Sequence, residues 1–158
     1  MHGWFGTGVR FECWEDAVLS EGTTTYLTAR ALEAVEGALP AQALWQEYAG
    51  RLGPVGSHAA WPALESNACD TNIDPLMIYT DLIYFRGAFF FRAVEERIGR
   101  SSLDTALRNI AVHRQGEALR FTEFLDEIEL EGGWDPTPCA QKWLGRSAPP
   151  EPNDFGCR

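Results

Sequence analysis

Apolar residues recur at steps of three and four along the first long stretch of the chain, and this period constrains the fold more than any other feature. From Asp16 onward they form one stripe: Val18, Leu19, Tyr26, Leu27, Ala31, Leu32 and Val35. Such a stripe is typical of a helix that packs one face against a core. Gly37 and Pro40 interrupt the pattern, so the sequence predicts a first helix that ends there.

The same period returns in shorter segments after that break. It predicts helices over residues 41–51, 81–98, 103–114 and 123–130, and a short helix after Thr137 that carries Trp143. Ser101 or Ser102, Thr122 and Thr137 are the expected N-caps of the last three. The helix over 81–98 is apolar on most sides and is expected at the centre of the core. With extended structure only around residues 9–14, the expected fold class is mainly α.

Two stretches rich in proline lie outside these helices. Residues 53–75 contain three Pro and two Gly and are predicted to form a long loop. Residues 148–158 contain three more Pro and are predicted to be extended. The expected domain organisation is therefore one helical unit over residues 1–147 and a Pro-rich tail over 148–158.

Charge and hydropathy exclude two classes of partner. Asp and Glu number 23 against 13 Lys and Arg, which gives a net charge of −10 and argues against binding to nucleic acid or to anionic lipid. The longest strongly apolar stretch, residues 82–94, contains Arg86 and Arg92 and is shorter than the roughly 20 residues that a membrane span needs. We therefore expect no nucleic-acid partner and no membrane span in this chain, and leave its compartment open.

The four cysteines are scattered and none forms a C-x-x-C pair. Cys13, Cys69, Cys139 and Cys157 suit neither a disulfide framework nor a zinc ribbon. They are expected to be buried thiols, with one disulfide if the compartment is oxidising.

One histidine and one glutamate stand in motif-like surroundings near the start of the chain. His2 opens the segment H-G-W-F-G, and Glu21 follows nineteen positions later in L-S-E-G, at the start of the first helix. Imidazole and carboxylate groups are both ordinary zinc ligands. In zinc peptidases a second histidine and a general-base glutamate precede such a histidine as H-E-x-x-H. Those positions lie before the first residue of this sequence.

Three segments, H-G-W-F-G, W-E-D-A-V-L-S-E-G and Y-F-R-G, together resemble the aminopeptidase N (membrane alanyl aminopeptidase) family of gluzincin zinc metallopeptidases. In that family eighteen residues separate H-E-x-x-H from a glutamate ligand, and eighteen separate His2 from Glu21 here. The resemblance implies that His2 and Glu21 are ligands of one zinc ion. It also implies that the chain is the helical half of a thermolysin-like (gluzincin) catalytic domain.

The Y-F-R-G segment is similar to a family Y-x-K-G segment whose tyrosine donates a hydrogen bond to the oxyanion at the scissile carbonyl. The resemblance gives this catalytic role to Tyr84, while Tyr79 matches a tyrosine that would line the substrate site. Without the resemblance, Tyr84 would be read as a core tyrosine with a bonded hydroxyl group. Ser20 and Arg86 depart from the asparagine and lysine that are usual in the family.

The activity implied by the resemblance is a zinc-dependent aminopeptidase that uses zinc-activated water to release N-terminal residues of peptides. The same pattern occurs in an epoxide hydrolase that also trims peptides. We expect the chain to be the C-terminal part of the catalytic domain, inactive by itself because it lacks the first histidine and the base glutamate. It is also expected to self-associate through the face left open by the missing segment. The alternative is a non-catalytic helical scaffold or partner-binding module that has lost the metal site.

Overall fold

Helices and one short pair of strands carry the fold in the computed structural model, which describes residues 2–52, 69, 80–145 and 157. In chain order the elements are β1 (Arg10–Phe11), α1 (Val18–Glu36), α2 (Ala38–Gly50), α3 (Gly87–Ile98), α4 (Arg100–His113), β2 (Ala118–Leu119), α5 (Phe121–Gly132) and α6 (Thr137–Leu144). A 3-10 turn at Trp14–Asp16 precedes α1, and a π-helical turn at Leu82–Arg86 leads into α3. The mainly α class is confirmed.

The helix α3 forms the centre of the core. It packs against α1, α4 and α6, and α5 packs on α4. Phe89, Phe90 and Phe91 are consecutive, and each is at most 1 % exposed, because neighbouring helices cover this helix on several sides. Trp143 of α6 stacks on Phe89 with ring centroids 5.4 Å apart. Burying a side chain of this size contributes about 1.5–3 kcal/mol to the free energy of unfolding. The packing of α3 against α1, α4 and α6 confirms the prediction of a central third helix.

The strands β1 and β2 tie the N-terminal segment to the start of α5. They pair in parallel, with Arg10 opposite Ala118 and Phe11 opposite Leu119. The backbone N–H of Glu12 donates to the carbonyl of Leu119 at 2.9 Å, which extends the ladder by one bond. This pairing confirms extended structure at Arg10–Phe11, but Trp14 already lies in a 3-10 turn, and the strand Ala118–Leu119 corrects the expectation that only residues 9–14 would be extended. The pairing fixes the segment that leads from His2 to α1.

The predicted N-caps are wrong at three helices. The helix α4 begins at Arg100, directly after Gly99, so neither Ser101 nor Ser102 precedes its first turn. The helix α5 begins at Phe121, where the carboxylate of Glu123 accepts the N–H of Arg120 at 2.9 Å. For α6 the capping acceptor is Asp135, whose carboxylate binds the N–H of Thr137 at 2.8 Å. A carboxylate thus replaces the expected hydroxyl cap at α5 and α6, whereas α4 begins after a glycine without a side-chain cap.

Both cysteine pairs form disulfides, which corrects the expectation of buried thiols and at most one bond. Cys13 bonds Cys69 and Cys139 bonds Cys157, with Cα atoms 5.3 and 4.9 Å apart. Sequence spacing could not show this, because tertiary packing brings distant residues together. Disulfides of this kind persist in oxidising compartments and are rare in reducing ones.

Several sequence predictions fall on positions beyond the described residues. Only Cys69 of the predicted loop over 53–75, and only Cys157 of the predicted tail over 148–158, is described. The domain boundary at residues 147 and 148 therefore stays a prediction. Within the described ranges, no helix has both the length and the apolar character that crossing a bilayer requires.

Candidate active site

His2 and Glu21 are brought together by two different local structures. Glu21 lies in the first turn of α1. His2 begins a series of tight turns, in which Thr7 N–H donates to the His2 carbonyl at 3.0 Å and Val9 N–H donates to the Trp4 carbonyl at 2.7 Å. These turns place Nε2 of His2 3.7 Å from Oε2 of Glu21. The two residues singled out by the sequence are therefore neighbours in space.

The separation of these two atoms fits two ligands of one zinc ion. Zinc holds imidazole nitrogen and carboxylate oxygen at about 2.0–2.2 Å, so two tetrahedral ligand atoms lie roughly 3.4 Å apart. The His2 side chain is 60 % exposed and that of Glu21 is 14 % exposed, so the pair is open to solvent on one side. Across the described ranges, no group of three His, Cys, Asp or Glu residues is arranged to hold a metal. The pair therefore fits part of a zinc site.

The start of α3 touches α1 backbone to backbone, directly beside Glu21. A Cβ atom on Gly87 would stand 2.7 Å from the Cα of Gly22, and one on Gly22 would stand 2.9 Å from the Cα of Gly87. Only glycine permits such a close approach. Gly22 directly follows Glu21, and Gly87 lies three residues after Tyr84. The crossing of α1 with α3 therefore brings the segments that carry Glu21 and Tyr84 together.

Tyr84 lies in the π-helical turn, and its side chain is half-buried. The turn packs against α1, the helix that carries Glu21, and against α6. Turns of π type are rare and are found mostly within helices at functional sites. The surroundings of Tyr84 thus differ from the fully buried core position that its apolar neighbours in sequence suggest.

Arg86, in the position of the family lysine, links the π-helical turn to the end of α6. Its side chain is 2 % exposed, and Nη1 donates to the carbonyl of Gly145 at 3.3 Å. Burial lowers the pKa of the Arg86 guanidinium below its usual range. The third residue expected near the site, Tyr79, lies outside the described residues.

A buried cluster of charges anchors the segment before α1. Nε of Arg120 donates to Oδ2 of Asp16 at 2.6 Å, and Nη2 of Arg120 lies 3.6 Å from Oε1 of Glu15. Burial raises the pKa of Asp16 to about 6, although the Arg120 guanidinium acts in the opposite direction. Sequence reasoning missed this cluster, because Arg120 stands 104 residues after Asp16.

Sequence reasoning also missed the parts of the site that contain no ligand. In the sequence Ser20 is only a departure from the family asparagine, yet its hydroxyl group contacts both His2 and Glu21. Gly22 and Gly87 each end one of the motifs and are not ligand candidates. The available signal was a glycine at the end of each motif, which indicates a close backbone approach.

Comparison with known proteins gives a single family. Residues 1–143 match the Peptidase family M1 domain. Leucine aminopeptidase 2 of Neosartorya fischeri is 28 % identical over 131 residues, which cover 80 % of this chain and 21 % of that protein. The chain thus spans about a fifth of this curated relative.

Solved structures give the same fold. An M1 zinc metallopeptidase from Deinococcus radiodurans, bound to a Tyr-Ser-Ala substrate, has a TM-score of 0.75 at 26 % identity, covering 96 % of this chain and 33 % of that one. Yeast LTA4 hydrolase in complex with Bestatin has a TM-score of 0.72 at 22 % identity, covering 94 % and 25 %. Because the family match covers most of the residues, the resemblance noted in the sequence is confirmed, and the chain belongs to the peptidase M1 family.

Proposed function

We propose that the protein containing this chain is a zinc-dependent aminopeptidase, in which His2 and Glu21 are zinc ligands and Tyr84 is a catalytic residue. The observation that carries the proposal is the 3.7 Å separation between Nε2 of His2 and Oε2 of Glu21, two residues that lie nineteen positions apart. The named activities of the leucine aminopeptidase and of the Deinococcus metallopeptidase support the class of reaction.

Each residue has a distinct part in this proposal. His2 through Nε2 and Glu21 through Oε2 would hold the metal. Zinc, when bound, supplies Lewis-acid chemistry that polarises a peptide carbonyl. The Tyr84 hydroxyl group stays protonated at neutral pH and can donate a hydrogen bond to an oxygen that gains negative charge. Tyr79, if it follows the family pattern, would contact the N-terminal residue of the peptide.

The test uses the full gene product that contains these 158 residues, with the zinc content per chain and the cleavage of aminoacyl anilides as readouts. We expect one zinc per chain and cleavage of the anilides. His2→Ala and Glu21→Ala should each lose zinc. Tyr84→Phe should keep zinc and lower kcat by about 100- to 1000-fold, the usual effect of removing one oxyanion donor.

Matched controls are available on the same scaffold. His113→Ala removes an exposed histidine at the end of α4, and Tyr48→Phe removes a hydroxyl group on α2. Both should leave zinc content and kcat unchanged. If the protein binds zinc but cleaves no peptide or anilide, the aminopeptidase assignment is wrong. If it neither binds zinc nor cleaves, the alternative of a non-catalytic helical module is correct.

Self-association is proposed only for the 158-residue chain when it is produced alone. A mainly apolar groove opens beside the segment that carries His2 and is lined by Trp4, Phe5, Leu27, Leu107, Ala111 and Val112, together with the charged Asp104 and Arg108. Trp4 is 65 % exposed and Val112 is 61 % exposed, which favours contact with a second copy. Light scattering should show dimers or larger species that Trp4→Ser reduces, and a monomer at all concentrations would contradict this proposal.

A further inference from the structure

Ser20 stands between the two proposed zinc ligands and contacts both. Its side chain is buried, with 2 % exposure. Its Oγ lies 3.3 Å from Nδ1 of His2 and 3.2 Å from Oε1 of Glu21. A third contact, at 3.3 Å, is to the backbone carbonyl of Phe5, in the turn that follows His2.

The atoms that Ser20 contacts are not the atoms that face each other across the site. Ser20 meets Nδ1 of His2 and Oε1 of Glu21, whereas Nε2 and Oε2 are the pair that lie 3.7 Å apart. A neutral imidazole carries one proton, and a hydrogen bond at one ring nitrogen decides which nitrogen keeps it. If Nδ1–H donates to the Ser20 hydroxyl, Nε2 is left with its lone pair for a metal.

The proton of the Ser20 hydroxyl group is then available for a second hydrogen bond. As an acceptor from His2, the Ser20 hydroxyl can donate its own proton to Oε1 of Glu21 or to the Phe5 carbonyl. Either bond holds the hydroxyl in place, and the first leaves Oε2 of Glu21 turned to the same side as Nε2 of His2. Groups that form hydrogen bonds with the outer atoms of metal ligands, which are the atoms that face away from the metal, tune metal affinity in this way.

The turn that carries His2 is shaped around this hydroxyl group. Gly6 has a φ of +117°, and a Cβ at that position would stand 2.6 Å from Oγ of Ser20 and 3.4 Å from Nδ1 of His2. Any side chain there would displace the contact. Glycine at position 6 is thus a second, independent feature that preserves the approach of Ser20 to His2.

We propose that Ser20 is a positioning residue: its hydroxyl group selects the Nδ1-protonated form of His2 and orients Glu21, so that both ligands present one metal-binding atom each to the same ion. The orienting role toward an ion rests on the proposed function. The selection of the histidine tautomer is a property of the chain itself and is measurable without any metal.

The experiment has two readouts. The first is the ring nitrogen NMR spectrum of the metal-free 158-residue chain labelled with 15N-histidine, at about pH 8.5 where imidazole is neutral. The chain has three histidines, so the His2 signals are assigned by their loss in His2→Ala. We expect Nδ1–H in the parent chain and a mixture of tautomers in Ser20→Ala.

The second readout is zinc affinity of the full gene product, measured by competition with a chromogenic chelator. Ser20→Ala should weaken zinc binding by about 10- to 100-fold, as is usual when such a partner is removed. Ser20→Thr keeps the hydroxyl group and should restore both the tautomer and most of the affinity. Thr24→Ala is the matched control, because its hydroxyl group is buried on the same helix and, among the described residues, donates to the backbone carbonyls of Ser20 and Glu21 and to no side chain.

The outcomes separate this inference from the function on which it rests. If Ser20→Ala leaves the His2 tautomer unchanged, or leaves zinc affinity unchanged while His2→Ala abolishes it, Ser20 has no positioning role. If His2→Ala and Glu21→Ala do not alter zinc binding, the proposed function fails, whatever the tautomer result. An equal effect of Thr24→Ala would mean that loss of any buried hydroxyl group on α1 disturbs the site, and would also overturn the inference.

Discussion

The start and the middle of α1 hold their polar side chains in different ways. At its start, Ser20 contacts His2 and Glu21 at 3.2–3.3 Å, and the two proposed ligand atoms stand 3.7 Å apart. In the middle of the helix, the hydroxyl group of Tyr26 donates to Glu95 at 2.5 Å, and Arg30 donates to Asp104 through two bonds of 2.6 and 3.1 Å. The two proposed ligand atoms at the start are too far apart to hydrogen-bond to each other, whereas the side chains in the middle pair directly.

This difference separates the residues that stabilise the helix from those that can bind a ligand. In the Tyr26 network the carboxylates meet guanidinium groups, including that of Arg100, which donates to both Glu33 and Glu95. Burial and the neighbouring Glu95 raise the pKa of Tyr26 far above its usual range, so its hydroxyl group stays protonated. At the start of α1, by contrast, the Glu21 carboxylate contacts a serine hydroxyl group and a histidine. Four substitutions test the contrast, in order of decreasing effect.

The largest loss of stability is expected at the crossing of α1 with α3. Gly87→Ala should lower the free energy of unfolding by about 3 kcal/mol, because the new methyl group meets the Gly22 backbone at 2.7 Å. Urea unfolding measures this value. Gly50→Ala is the control: its added Cβ meets nothing within 4 Å, so it should be neutral or gain about 0.5–1 kcal/mol. A loss below 1 kcal/mol for Gly87→Ala would show that the backbone contact is not needed.

A pH-dependent effect is expected from Asp16, just before the start of α1. Burial raises its pKa in the folded chain to about 6, above the 3.8 that is ordinary for an aspartate, so the unfolded chain releases this proton first as pH rises. The free energy of unfolding should therefore fall between about pH 4 and pH 6 through this group, by at most about 1.4 kcal/mol per pH unit. Asp16→Asn removes that slope. Unfolding curves across this pH range give the comparison, and an unchanged slope in Asp16→Asn would contradict the assignment.

A smaller loss is expected in the closed network. Tyr26→Phe removes a buried hydroxyl group that donates to Glu95 and accepts from Arg30, which should cost about 1.5 kcal/mol in the free energy of unfolding. Tyr48→Phe on α2 serves as the control for the loss of a tyrosine hydroxyl group. Urea unfolding measures the free energy of unfolding of both variants. Equal losses in the two would mean that the hydrogen bonds of Tyr26 to Glu95 and Arg30 add no specific stability.

The smallest effect on stability is expected at the proposed zinc ligand Glu21. Glu21→Gln should change the free energy of unfolding by less than about 0.5 kcal/mol, because among the described residues its carboxylate contacts a serine hydroxyl group and an exposed histidine, and no arginine. The same substitution should abolish zinc binding by the full gene product. A large loss of stability without zinc would show that Glu21 supports the fold and would remove the contrast between the start and the middle of α1.

The parts of the fold that were predictable are those set by local period and by helix-ending residues. The apolar stripe beginning at Val18 and the break at Gly37 give α1 almost to the residue, since α1 runs from Val18 to Glu36. The stripe is wrong at Val35, which is 83 % exposed and does not lie on the buried face. The three Phe residues at 89–91 identify the central helix, because only a helix covered on several sides can bury them all. The caps failed because hydroxyl groups at helix starts compete with carboxylates and glycines, and sequence alone does not decide which one wins.

For the site, the residue spacing and the family resemblance identified His2, Glu21 and Tyr84 as a set. The proximity of His2 and Glu21 depends on the turns after His2, and the approach of the Tyr84 segment depends on the crossing of Gly22 with Gly87. Most of the remaining contacts join residues that are distant in sequence. They are the bonds of Ser20 to His2 and Phe5, the Asp16–Arg120 pair and the two disulfides. The bond between Ser20 and Glu21 is the exception among them. No periodic pattern encodes such contacts.

The amino-acid sequence by itself determined where most helices run, which of them lies at the centre, and which family the motifs resemble. These properties follow from side-chain periodicity and from short motifs, and both are local in the chain. The tertiary structure alone decided that Nε2 of His2 and Oε2 of Glu21 face each other, and that a serine hydroxyl group holds their outer atoms. The physical reason is that hydrogen bonds and backbone contacts act over a few ångströms, so they form only after packing has brought distant segments together.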